Sequence, residues 1–156
     1  MSIQSYSYLN ENVPAARYYR AAAFTFPSVA STAVNPFIYD TKVAGFDPGN
    51  NYNTSTGMYT CPIAGLYLVK AQISIGATAT GQAINAQVYQ NGVYQLIGNI
   101  ITPNASALIG QAMTVLACAA GDTINLAGQC NAASIPARAN LVETNMLIVW
   151  MAAGAN

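Results

Sequence analysis

From Ala71 through Gly121 the chain carries no charged side chain. A domain solvated on every side spreads ionic groups over its surface, so a gap of this length requires other protein to cover part of it. The rest of the sequence deepens that requirement. Charged residues are 6% of the 156 and hydrophobic ones 53%, whereas an average soluble domain carries about 25% charge. The cations are Arg17, Arg20, Lys42, Lys70 and Arg138, and the acids Glu11, Asp40, Asp47, Asp122 and Glu143. A monomer of this size exposes about 7,500 Å², and these few groups cover little of it. One domain that hides its flank against copies of itself is the expectation.

The same composition removes several classes of function. Formal net charge is zero, so there is no basic field for nucleic acid. The longest apolar window, Ala105 to Gly121, is shorter than the roughly 18 residues of a membrane-spanning helix and contains Ser106, Gln111 and Thr114. No membrane association is expected. The chain has no histidine, which takes away the usual general base and the commonest metal ligand. No enzyme activity and no cofactor are expected. Cys61, Cys118 and Cys130 are an odd number without a C-x-x-C spacing, and read as small buried hydrophobes. Asp40, Asp47 and Asp122 are the candidates for calcium, but none lies in a D-x-D-x-D-G loop, and aspartate is common in turns and caps. The amino terminus shows no basic region followed by an apolar stretch, so synthesis in a cytosol is expected.

Along the chain, residues 1–20 differ in texture. Tyr6, Tyr8, Tyr18 and Tyr19 crowd a segment broken at Pro14, which reads as a docking arm; Tyr18, Tyr19 and Arg20 could also stack on a sugar, with packing on a neighbour as the plainer role. From Ala21 onward short apolar runs separated by Gly, Pro, Asn and Asp predict strands at Ala21–Phe26, Phe37–Tyr39, Tyr52–Asn53, Met58–Thr60, Gly65–Ile75, Ala83–Gln90, Val93–Ile101, Ala107–Cys118, Thr123–Gly128 and Asn140–Ala152. Gly65–Ile75 is the clearest. Its odd-numbered residues are all apolar and should face a core, while Lys70, Gln72 and Ser74 alternate with them. Asn91-Gly92 is a hairpin signal because both residues accept φ > 0, and Ala120-Gly121-Asp122 is a second turn. The window Ala107–Ala119 stays open between strand and helix, since short apolar runs do not separate the two by period alone.

The string from Phe46 to Ile75, FDPGNNYNTSTGMYTCPIAGLYLVKAQISI, resembles the signature of the complement globular-head branch of the tumour necrosis factor superfamily. The matching positions are Tyr52, Asn53, Ser55, Thr56, Gly57, Tyr59, Pro62, Gly65 and Tyr67. Ala21–Phe26 is similar to the family's first strand, Val88–Gly92 to its mid-domain hairpin, Ala120–Leu126 to its Gly-Asp strand, and Asn145–Met151 takes the place of its last strand. The resemblance covers about residues 21–152.

It implies an all-β, ten-stranded, two-sheet jelly-roll sandwich over residues 21–156 that assembles as a three-fold homotrimer, with Tyr52, Gly57, Tyr59, Gly65 and Tyr67 as the trimer and core signature. A trimeric jelly roll with an arm and few charges is expected to be a structural virion protein. In that reading it is a bacteriophage capsid decoration (cement) or head-fibre protein on the virion surface, docked through Tyr6, Tyr8, Tyr18 and Tyr19 to the major capsid protein or another virion protein. A glycan-binding tail-fibre tip, using Asn50–Thr56 or Gln129–Arg138, and a spore-coat or bacterial surface protein are the alternatives.

Overall fold

The computed structural model describes residues 13–27, 33–76, 83–98, 108–131 and 134–153. Among them lie strands and no helix: β1 (Ala15–Tyr19), β2 (Phe24–Thr25), β3 (Ala33–Val34), β4 (Thr41–Lys42), β5 (Tyr52–Asn53), β6 (Met58–Thr60), β7 (Gly65–Ile75), β8 (Ile84–Gln90), β9 (Val93–Ile97), β10 (Leu108–Cys118), β11 (Thr123–Cys130), β12 (Pro136–Ala137) and β13 (Asn145–Ala152). They form two antiparallel sheets. The first runs β2-β12-β7-β13-β1-β4 with β10 on the other edge of β7; the second runs β5-β6-β11-β8-β9 with β3 beside β11.

β7 organises the first sheet as its alternation predicts. Tyr67, Val69, Ala71, Ile73 and Ile75 point inward and are fully buried. β10 pairs with β7 from Leu108↔Ile75 to Cys118↔Gly65, which settles the window around Ala107–Ala119 as a strand. The β-branched Ile109, Thr114 and Val115 suit a pleat, and β7 supplies a full-length template. Its apolar density arises because inward Ala112 and Leu116 alternate with outward Met113 and Val115.

Several sequence expectations need correction. The expected arm at residues 1–20 does not extend through its second half: Ala15–Tyr19 is a strand of the first sheet, paired with β13 from Ala15↔Val149 to Tyr19↔Asn145 and with β4 at Tyr18↔Lys42. Tyr18 is therefore a core residue rather than a docking one, while Tyr6 and Tyr8 lie outside the described residues. Next, Ala21–Phe26 shrinks to the two-residue β2 because Arg20 bends the chain. Its guanidinium donates to the carbonyls of Ala22, Ala23 and Ile38 and sits 3.3 Å from Asp40, whose carboxylate accepts the Ala21 and Ala22 amides. Those contacts occupy Arg20 within the fold, where the sequence had offered it to a sugar. Burial alone would raise Asp40, but the Ala21, Thr41 and Ala22 hydrogen bonds and Arg20 together hold its carboxyl below the usual range. Third, Phe37–Tyr39 forms no strand although both rings are buried, and the last strand starts at Asn145 because Asn140 Oδ1 accepts the Val142 and Glu143 amides in a turn.

Between the sheets the core is aromatic. Phe24, Phe26, Phe37 and Tyr39 touch in sequence, Tyr18 meets Tyr52 at 4.6 Å between ring centroids, and Tyr59 meets Tyr67 at 6.1 Å. Burial pushes the Tyr52 and Tyr67 hydroxyls up to about 12 and raises those of Tyr18, Tyr39 and Tyr59 and the thiols of Cys61 and Cys118. Folded values above unfolded ones mean stability that is complete below the unfolded values, near 8.5 for Cys and 10 for Tyr, and lost as pH rises through the folded ones. The urea midpoint is expected to hold to about pH 8 and to fall steadily between about pH 9 and 12. A midpoint unchanged at pH 11 would contradict the buried-hydroxyl core.

A candidate oligomer interface

The outer face of the first sheet is built by register. Ala15, Val149, Leu68 and Val115 form one row across β1, β13, β7 and β10; Arg17, Leu147, Lys70 and Met113 form the next; Tyr19, Asn145, Gln72 and Gln111 form the third. Leu66 and Ala117 extend the apolar end. Among the described residues no layer covers this face: Met113 is 65% exposed, Val115 48%, and Met151, the extra residue of a bulge in β13, 54%. At the polar end the sheet closes itself. Gln72 donates to the carbonyls of Val142 (2.7 Å) and Glu143 (3.1 Å) and accepts from Gln111 (2.6 Å), so the turn at 140–144 lies over that row.

A second exposed apolar surface adjoins it. Among the described residues β9 pairs only with β8, and it presents Val93, Tyr94 and Ile97 to solvent, the Tyr94 ring set edge-on to Tyr89 at 5.4 Å. A Cβ on Gly98 would lie 1.7 Å from the Gln111 carbonyl oxygen, so only glycine lets the end of β9 rest on β10. The end of β9 and the β10 side of the first sheet thus meet on one side of the sandwich beside the apolar face.

Of the residues expected to matter, Tyr52, Tyr59 and Tyr67 are buried in the core and not on this face. Gly57 is a turn residue at φ 71 whose Cβ would lie 2.8 Å from Pro36 Cβ, and Gly65 backs onto Trp150. Tyr19 lies half-buried in the polar row, next to Asn145 and Thr41. The face residues Leu66, Leu68, Leu147, Val149, Met113 and Val115 carried a signal that the alternation of β7 alone hides. Asn145–Met151 is apolar on both sides, the pattern of a strand covered on both.

The other chemistry on offer is engaged in structure. Asp47 is fully buried and accepts from Tyr18 Oη (2.9 Å), the Asn51 amide (2.7 Å) and the Tyr52 amide (3.0 Å). Asp122 ties the Asn91-Gly92 hairpin to the Ala120-Gly121 turn by accepting from Gln90, Asn91 and the Ala119 amide. Among the described residues no three His, Cys, Asp or Glu side chains come together as a metal site. Cys61, Cys118 and Cys130 are buried. A cleft of about 390 Å³ beside the start of β1, lined by Val13, Pro14, Pro48, Asn51, Pro62 and Ile63, contains no acid–base pair.

The family profile described as C1q domain matches residues 21–142. The chain belongs to the C1q domain family. Its fold is that of the globular domain of zebrafish complement 1qA, with a TM-score of 0.64 at 15% identity over 92% of this chain and 100% of that one. Eiger TNF from S. frugiperda gives 0.65 at 13% over 92% and 96%, and murine APRIL 0.65 at 12% over 90% and 100%. No curated protein matches the sequence. These likenesses establish the jelly-roll sandwich. In this C1q domain β1 lies upstream and β13 downstream of the matched residues, so the apolar face includes two strands that the match does not reach.

Proposed function

We propose that this C1q domain is a non-enzymatic homotrimer displayed on a virion surface, as a phage decoration or head-fibre protein. The observation that carries the trimer is the uncovered apolar face of β1, β13, β7 and β10 next to the free β9 edge. A closed ring, in which one copy's β9 edge packs on the next copy's face, hides both surfaces. The family resemblance supplies the three-fold symmetry. The virion reading is supported by the scarcity of charge and of acid–base groups, and by a segment bearing Tyr6 and Tyr8 that precedes the sandwich. Such a segment can reach a shell while the body projects.

Sedimentation of the native chain at micromolar concentration should give trimers, and Leu68→Glu combined with Val115→Glu should give folded monomers, with at least about a hundredfold loss of association. A native monomer would sink the proposal. For the particle, the informative deletion removes residues 1–12 and leaves β1 whole. Those trimers should no longer bind purified particles. Retained binding removes the docking role of the segment, and glycan binding without particle affinity moves the protein to a fibre tip.

A further inference from the structure

Lys70 stands in the middle row of the apolar face, between Leu147 on β13 and Met113 on β10. The other cation of that row, Arg17, is two strands away, roughly 10 Å, and lies over the Phe46 ring at 5.8 Å. The rows of this face contain no carboxylate. Among the described residues Lys70 has no ion pair and no side-chain hydrogen bond.

The described carboxylates are all occupied: Asp40 by Arg20 and two amides, Asp47 by Tyr18, Asn51 and Tyr52, Asp122 by Gln90, Asn91 and the Ala119 amide, Glu143 by Arg138 and Asn140. Covering the face with another copy takes the ammonium out of water without a compensating charge, which opposes assembly unless a counter-charge enters with it. A single ammonium between Leu147 and Met113 favours the counter-ion that is cheapest to dehydrate, a small inorganic anion over a polyhydroxylated organic one.

We infer that Lys70 binds a small inorganic anion of the halide class when the face is covered, so that assembly takes up anions. This rests on the oligomer proposed above. An anion held only by the assembled form shifts the equilibrium by mass action, and the association constant should rise about tenfold per tenfold rise in chloride for each anion taken up.

The test is sedimentation equilibrium of the full chain and of Lys70→Met, with sodium chloride exchanged for sodium gluconate at constant ionic strength. Native oligomers are expected to weaken at least about tenfold in gluconate, while Lys70→Met assembles equally in both salts. Crystals grown in bromide should show an anomalous peak beside Lys70 Nζ. Oligomers of both proteins that respond alike to the exchange, or no bromide at Lys70, overturn the anion site alone. A native chain indifferent to the salt whose assembly fails on Glu11→Gln also overturns it, in favour of a neighbour's carboxylate. Monomers of both proteins in every medium overturn the oligomer and this site with it.

Discussion

Gly65→Ala is expected to lose about 3 kcal/mol or more of stability, the upper range for a single methyl group. At φ +154 the added Cβ would lie 2.2 Å from Trp150 Nε1 and 2.4 Å from the Ala152 carbonyl oxygen. The indole cannot retreat freely, because its N–H donates to the Ala64 carbonyl at 3.2 Å. The Ala152 carbonyl is backbone at the end of the β13–β7 ladder, opposite Leu66, so moving it opens the pairing of two central strands. Urea unfolding followed by fluorescence reads the same place, since Trp150 is the only tryptophan. Gly92→Ala is the control: φ is +75 there but nothing lies within 4 Å, so only backbone strain of about 1 kcal/mol is expected. Equal losses in the two variants would show that the contact with Trp150 has no energetic weight.

Asp47→Ala is the second large effect, at about 3–5 kcal/mol. It strands the Tyr18 hydroxyl and the Asn51 and Tyr52 amides, donors that face a fully buried carboxylate. Asp47→Asn should recover part of the loss. One amide oxygen can still accept from the backbone, and asparagine tolerates the φ of 52 found there. The amide NH₂ then opposes a donor it cannot satisfy. Tyr18→Phe removes one of the donors and should cost about 1 kcal/mol. In a double-mutant cycle on urea midpoints, Tyr18→Phe should cost less in the Asp47→Ala background than in the native one. Strict additivity would show that the hydrogen bond between them contributes nothing.

These two residues also show what the sequence makes legible. Gly65 could be found because it opens the strand with the cleanest alternation in the chain and sits in the most specific part of the family resemblance. The hairpin at Asn91-Gly92 was equally plain: both residues have positive φ, 51 and 75. Asp47 was read as a turn or cap residue, and it does cap the turn before β5. Its link to Tyr18, 29 residues earlier, leaves no local trace. β1 was missed for the same reason, since its partners are β13 at the far end of the chain and the two-residue β4. Ala15–Tyr19 also lacks the β-branched run that marks a strand. The apolar face was half visible. Uncharged composition announced that a surface must be covered, but only the register of β1, β13, β7 and β10 shows that Lys70 stands within it.

The most C-terminal of the described strands is not at a rim. β13 lies between β7 and β1, so during synthesis the sandwich holds an open slot, with two unsatisfied strand edges, until Ala152 has cleared the ribosome. Maturation must therefore wait for β13, and nascent copies close together on one message are the ones most exposed to pairing with the wrong slot.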